Sequence, residues 1–285
     1  MSNLPINNAE LDAMLTGFLR EDLGDKMVQG DITSMAVIPE NASLSAMLSA
    51  RDPMVLAGVD MALQVFKLLD ASAQITTQFS DGQSLVSGDV IMTIAGNARA
   101  MLAAERTALN LIQHLSGIAT ITRQYVTAIS HTNCKLLDTR KTTPGLRLLE
   151  KYATHVGGAQ NHRLGLYDAI MMKDNHIAVA GDIALAVANV KAQGHEFIEV
   201  ECDTLEQVKA ALETGVTRLL LDNMSLSDLR EAVGIAGGKV ELEASGGVML
   251  ESIGEIAATG VDYISVGRIT QSAPAVDIGL DFIES

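Results

Sequence analysis

The chain has no tryptophan, and aromatic residues make up only 3% of its 285 positions. Hydrophobic residues nevertheless reach 48%. Any core must therefore be aliphatic, built from Ala, Leu, Ile, Val and Met, which suits helices packed on parallel strands. The shortage of rings argues against the stacking platforms that hold single-stranded nucleic acid. Positive charge is also short: 20 Lys and Arg face 35 Asp and Glu, for a formal net charge of −15. That balance argues against nucleic acid as a partner. Two cysteines, Cys134 and Cys202, give no disulfide framework and no metal-binding spacing. No apolar run approaches the roughly 20 residues of a membrane span. The N-terminus, MSNLPINNAELD, lacks a charged region followed by an apolar one. The expectation is a reduced, cytoplasmic protein with no membrane or nucleic-acid partner.

Against that acidic background, residues 135–177 stand out. Lys135, Arg140, Lys141, Arg147, Lys151, Arg163 and Lys173 fall there, opposed only by Asp138, Glu150, Asp168 and Asp174. A basic island in an acidic protein is where an anionic ligand is expected. Apolar runs lead directly into Asp138-Thr139-Arg140-Lys141 and Lys173-Asp174-Asn175-His176. Charge at the end of a buried strand is how sites are built in parallel α/β proteins.

Leu11, Met14, Leu15, Phe18 and Leu19 recur at helical spacing, so 8–24 reads as a helix stopped by Gly24. Residues 25–32 read as a loop, 43–50 as a strand and 59–70 as a helix. Gln74–Phe79 and Val90–Ile94, around an Asp81-Gly82 turn, suggest an antiparallel element. From 99 to 130 the pattern is helical, with an interruption expected at Ser116-Gly117. The pattern then changes. Short β-runs near 135–139, 169–172, 197–201, 218–222, 239–243 and 262–266 alternate with helical segments. Such alternation means parallel βαβ units. Without a Gly-x-Gly-x-x-Gly fingerprint, it favours a barrel over a dinucleotide-binding sheet. The expected domains are 1–115 and 116–274, with 275–285 returning to the first.

In such a barrel the carboxyl ends of the strands converge on one face. Arg140, Lys141, Arg163 and Lys173 would meet Glu201 and Asp222 there. The cations suit carboxylates or phosphates; the acids suit Mg²⁺ or sugar hydroxyls. Ser245-Gly246-Gly247 and Val266-Gly267 follow the last two runs, where backbone N–H groups can cradle a phosphate. Taken alone, Gly246-Gly247 is better explained as a tight turn, and Gly237-Gly238 reads as a helix end. His162 gains weight only from Arg163 beside it, and no zinc spacing is present. Arg106 interrupts an apolar helical pattern and can face a ligand, a second subunit or solvent.

Taken together these motifs resemble the quinolinate phosphoribosyltransferase family, also called nicotinate-nucleotide diphosphorylase (carboxylating). The markers run nearly the length of the chain. They include Glu21-Asp22-Leu23-Gly24, Gly30-Asp31-Ile32-Thr33, Glu105-Arg106-Thr107-Ala108-Leu109-Asn110 and Asp138–Gly145. Asn161-His162-Arg163, Lys173-Asp174-Asn175-His176, Glu243-Ala244-Ser245-Gly246-Gly247 and Ile264-Ser265-Val266-Gly267 complete the set. The resemblance implies an N-terminal α/β sandwich and an open, seven-stranded α/β barrel of the type II phosphoribosyltransferase kind. It also implies a homodimer with shared sites, open to further assembly. The implied substrates are quinolinate and 5-phosphoribosyl 1-diphosphate, with Mg²⁺ and no organic cofactor. The implied products are nicotinate mononucleotide, diphosphate and CO₂, in NAD biosynthesis. Thr139, Arg140, His162, Arg163 and Lys173 would hold quinolinate, with Arg106 arriving from the partner. Lys141, Glu201 and Asp222 would act on the sugar diphosphate and its Mg²⁺. Ser245, Gly246, Gly247, Val266, Gly267 and Arg268 would hold its 5′-phosphate. The chain departs from the family's usual pattern at the inserted Asp25–Gln29, at Ala159 for a glycine, at Gln271 for a histidine and at Arg268 for a small residue. Two alternatives stay open: the related ModD-like pyrophosphorylase group, and a non-catalytic anion-binding barrel.

Overall fold

The computed structural model describes residues 7–283. It divides into two compact units. One gathers the described residues up to Ile121, Leu148–Gly157, and those from Ser272 onward; the other gathers Thr122–Arg147 and Gly158–Gln271. The sequence places the first division near 115 and the return near 275.

In the first unit, helix α1 (Asn8–Leu23) buries Leu11, Leu15, Leu19 and Leu23, one face at fourfold spacing. A capping box of Asn7 and Glu10 starts it, and Gly24 ends it. The segment read as a loop is more ordered than expected. It forms a 3₁₀ turn over Met27–Gly30 and runs into α2 (Ile32–Val37). Asp31 caps α2 by accepting from the Ser34 amide at 3.0 Å. The strands are β1 (Ser43–Ala50), β2 (Met54–Val55), β3 (Gln74–Thr77), β4 (Ser84–Leu85) and β5 (Val90–Asn97), with α3 (Val59–Leu69) between β2 and β3. As expected, β3 and β5 pair antiparallel. β2 and β4 form a separate short ladder that the sequence reading did not anticipate.

Helix α4 (Ala98–Ala128) is continuous, correcting the break expected at Ser116-Gly117. The pair serves packing instead. The Ser116 hydroxyl accepts from the Ala57 amide at 3.0 Å and donates to the Ala57 carbonyl at 3.2 Å. A Cβ on Gly117 would stand 2.1 Å from the Pro274 carbonyl oxygen. Both residues therefore let backbone approach the helix, which the sequence alone presents as helix-breaking composition.

The second unit contains β6 (Lys135–Leu137). After it, α5 (Arg147–Gly157) passes mostly into the first unit, where Tyr152 donates to Asp81 at 2.6 Å. Then follow β7 (Ile170–Met172), α6 (Asp174–Ala180), α7 (Ile183–Ala192), β8 (Ile198–Cys202), α8 (Leu205–Leu212), β9 (Arg218–Asp222) and α9 (Leu226–Ala236). β10 (Glu241–Ser245), α10 (Ile253–Ala257), β11 (Tyr263–Ser265) and α11 (Arg268–Gln271) complete it. α9 ends at Gly237 in the left-handed region, as the sequence suggested. The parallel sheet has the order β6-β11-β10-β9-β8-β7. A one-residue parallel bridge from Leu137 to Gln160 adds a seventh position beside β6. Around the ring these positions follow chain order. The described pairings leave it open between Gln160 and β7. The seven strands expected are thus six strands and one bridge.

The chain ends by returning to the first unit. β12 (Ile278–Phe282) pairs antiparallel with β1, Ala50 opposite Ile278 and Ala46 opposite Phe282. That sheet has the order β12-β1-β5-β3.

Candidate active site

Strand periodicity assembles the site. Successive strand residues point to opposite faces, and the registers align Glu199 with Arg218, Glu201 with Leu220, and Ser245 with Asp222. One face therefore carries Glu199 and Glu201 of β8, Arg218, Leu220 and Asp222 of β9, and Glu241, Glu243 and Ser245 of β10. Its upper end, at the strands' carboxyl termini, opens into a cavity of about 540 Å³. Thr139, Arg140, Lys141, His162, Arg163, Lys173, Glu201 and Asp222 line it, with Ser245, Gly246, Gly247, Val266, Gly267 and Arg268. These are all the expected site residues except Arg106, which is exposed on α4 in the first unit.

The cations occupy the side nearest the open edge of the sheet. The Arg163 guanidinium donates to the Ala169 carbonyl at 3.1 Å, so it bridges the segment that spans the gap. Burial and neighbouring Arg140 push its pKa down: two guanidiniums here repel each other and favour an anion between them. The buried Nε of Arg140 makes no hydrogen bond. Lys173 forms an ion pair with Glu201. That contact joins the cationic side to the acidic one. Lys141 is exposed, and its amide donates to the Thr139 hydroxyl at 3.0 Å.

On the opposite side, the Asp222 carboxylate accepts from Asn223 Nδ2 at 2.6 Å. Gly246 sits at φ 96°, and a Cβ there would stand 2.2 Å from Asn223 Oδ1. Glycine is thus required both by backbone conformation and by space. The loop it opens presents backbone at the cavity wall, with Met249 next to Arg268.

Asn161-His162-Arg163 is held from below. Asp138 is fully buried and accepts from Asn161 Nδ2 at 2.6 Å and from the His162 amide at 2.8 Å. His162 Nδ1 accepts from the Arg163 amide at 2.8 Å, so its proton sits on Nε2. That atom lies 3.3 Å from both Glu199 and Glu243, which are fully buried. Burial lowers the imidazolium's affinity for its proton, but the two carboxylates outweigh it and raise the pKa to about 9. The Arg163 amide opposes a second proton, since it needs the Nδ1 lone pair. Burial, helped by the charge of Glu243, pushes the Glu199 carboxyl up. Glu243 is buried as deeply, but the His162 ring beside it draws its carboxyl down.

Sequence reasoning missed Glu199, and it quoted Glu243 only as part of a motif. The signal was present: each lies two residues before a named cavity residue, Glu201 and Ser245, and hence on the same face. Met171, Leu220, Val248, Met249 and Ser265 also line the cavity; nothing in their chemistry marks them in the sequence. His176, beside Lys173, is an end-cap: its Nδ1 accepts from the Lys173 amide at 3.0 Å. Of the other cations in 135–177, Lys151 is buried, Lys135 is exposed, and Arg147 donates to Thr142 and to the Leu164 carbonyl.

Family models match nearly the whole described chain. Residues 31–116 match the N-terminal domain of quinolinate phosphoribosyl transferase and residues 118–281 its C-terminal domain. The chain belongs to the quinolinate phosphoribosyltransferase family. A probable nicotinate-nucleotide pyrophosphorylase (carboxylating) of Bacillus subtilis is 43% identical over 97% of this chain and 94% of its own length. The Mycobacterium leprae nicotinate-nucleotide pyrophosphorylase (carboxylating) is 42% identical over 97% and 99%. The solved structure of the Francisella tularensis nicotinate-nucleotide pyrophosphorylase matches with a TM-score of 0.92, at 43% identity over 98% of both chains. This quinolinate phosphoribosyltransferase family member thus has the family's α/β architecture, and the expected site residues other than Arg106 line one cavity.

Proposed function

We propose that this chain transfers the phosphoribosyl group of 5-phosphoribosyl 1-diphosphate to quinolinate with decarboxylation, yielding nicotinate mononucleotide, diphosphate and CO₂ in NAD biosynthesis. The observation that carries this reading is the division of one cavity into two chemistries. Arg140, Arg163 and Lys173 suit a small aromatic diacid. Lys141, Glu201, Asp222 and the Ser245-Gly246-Gly247 and Val266-Gly267 loops suit a sugar diphosphate. An anion binder without catalysis would not place Glu201 and Asp222 in its pocket.

The sugar diphosphate lies with its 5′-phosphate against the glycine loops and Arg268. The carboxylates of Glu201 and Asp222 are hard oxygen donors converging on the same cavity and fit Mg²⁺ held jointly with the diphosphate. Bound there, the ion would supply neutralisation of the leaving group's charge. Lys141 adds a second positive charge at the departing diphosphate. As the anomeric bond breaks, positive charge develops on the sugar, which carboxylates nearby stabilise. Arg140 and Arg163 hold the diacid's carboxylates so that the pyridine nitrogen faces that carbon, and alignment replaces the need for a strong base. Bond formation leaves the ring nitrogen cationic. The adjacent carboxylate then departs as CO₂, because the electron pair left on the ring carbon is stabilised by the positive nitrogen, and a proton taken up at that carbon completes nicotinate mononucleotide. We further propose that Arg106 reaches this site from the partner of a homodimer, and that the protein works in the cytoplasm. Among the described residues no helix is long and apolar enough to cross a membrane.

The test is direct. Protein, quinolinate, phosphoribosyl diphosphate and Mg²⁺ are mixed, and CO₂ and nicotinate mononucleotide are measured. Stoichiometric formation of both is expected. Absence of both from a folded preparation would overturn the assignment.

A further inference from the structure

Beneath the cavity, Glu199 and Glu243 form a buried layer between two basic groups. Above them lies His162 Nε2, 3.3 Å from each. Below, Arg218 Nη1 lies 3.8 Å from Glu243. Arg218 is itself fixed: it stacks on Tyr263 with its guanidinium carbon 4.2 Å from the ring centre, and it donates to Glu241 at 2.6 and 3.0 Å. The acids lie within β8 and β10, inside the hydrogen-bonded sheet. The residues they hold belong to an irregular segment across the opening of the ring. Each strand contributes one carboxylate of the pair, and both converge on one nitrogen.

The imidazole is thereby engaged at both ends. Nε2 faces the carboxylates, and Nδ1 receives the Arg163 amide. Turning the ring would break that second contact and release the Arg163 backbone. Asp138 adds a third buried acid, holding the His162 amide and the Asn161 side chain. The tripeptide that presents Arg163 is thus suspended from three buried carboxylates, on β8, on β10 and just past the end of β6.

We propose that Glu199 and Glu243 are positioning residues for the diacid-binding side of the site: acting through the His162 ring, they set the place of Arg163. This rests on the reading of the cavity as a quinolinate site. It assigns His162 a supporting part, in addition to any contact its ring edge makes with substrate. A simple electrostatic view leads to the opposite expectation. Two negative charges under a cationic wall weaken anion binding, so neutralising them would tighten it.

The experiment compares wild type with E199Q, E243Q, the double variant, H162N, and H162N combined with the double variant. Glutamine preserves volume, and thermal melting identifies folded variants; E199Q alone serves if the double variant does not fold. Binding of pyridine-2,3-dicarboxylate is measured by calorimetry, and KM for both substrates by turnover. The proposal expects the double variant to bind the diacid at least tenfold more weakly, with KM for phosphoribosyl diphosphate changed less than twofold. It also expects H162N to abolish the effect of the glutamines, because a residue acting through another has no effect once that other is gone. Tighter diacid binding, equal losses for both substrates, or additive effects with H162N would each overturn it. The His162 Nε2 proton, followed by nitrogen NMR, reads the contact independently of turnover. Its resonance is expected to shift in E199Q and E243Q even if the wild type proves to catalyse a different reaction. An unchanged resonance overturns the proposal, whereas failure of the wild-type assay overturns the functional reading.

Discussion

Single residues in this cavity differ more in their partners than in their type. Arg140, Lys141, Arg163 and Lys173 are all cations, yet their surroundings are distinct. Arg163 is tied to the Ala169 carbonyl and crowded by Arg140. Lys173 is already paired with Glu201. An anion entering between the arginines relieves repulsion, whereas one approaching Lys173 competes with a carboxylate. Arg163→Ala should therefore weaken quinolinate binding by about 2–5 kcal/mol while leaving phosphoribosyl diphosphate affinity nearly unchanged. Glu201→Ala should chiefly raise the KM for phosphoribosyl diphosphate and shift the Mg²⁺ dependence. Calorimetry with each ligand separately checks the split, and equal losses for both ligands in both variants would remove it.

At the scale of elements, the structure turns an apparent helix break into a packing device. α4 runs unbroken through Ser116-Gly117. Glycine costs the helix about 1 kcal/mol relative to alanine. Gly117→Ala should nonetheless destabilise the protein, by about 1–3 kcal/mol, because the added methyl meets the Pro274 carbonyl. Chemical denaturation is the measurement, and a stabilised G117A would show that the loop moves aside freely. The same reasoning explains the strands. β9 reads Arg-Leu-Leu-Leu-Asp, with its leucines buried and its charges at the two ends. Such a strand is legible. β8 and β10 each carry a glutamate in mid-strand, Glu199 and Glu243, which local propensity does not favour. Those are the positions where the sheet serves the site rather than itself.

For the whole molecule, the chain's two compact units and its returning strand matter most. β12 covers the edge of β1 and becomes the edge strand of that sheet itself. The site residue left outside the cavity's lining is Arg106, exposed on α4. If it completes a partner's site, then R106A and R163A should each be nearly inactive alone and recover when co-assembled. Each mixed dimer restores one intact site of two, so random mixing should yield about a quarter of wild-type activity. Mixing after reversible dissociation, followed by turnover, checks this, and no recovery in demonstrated heterodimers would place Arg106 outside the site.

The order of elements was readable in the chain because strand and helix periods are local properties. The β-runs ending in Arg140, Lys173, Glu201, Asp222 and Ser245 could be placed at one rim once they were recognised as βαβ units. So could the sorting of the rim into cations and acids, since these differ by residue type. Three matters needed the tertiary structure. Lys173 lies against Glu201, joining two sets of residues that sequence had kept apart. A single bridge at Gln160 stands for the seventh strand, too short to leave a periodic signal. Glu199 and Glu243 meet beneath His162, although 44 residues of chain separate the two acids. Sequence determines which face of its own strand each side chain takes. Only the register between strands, set by packing over the whole sheet, decides which residue it meets there.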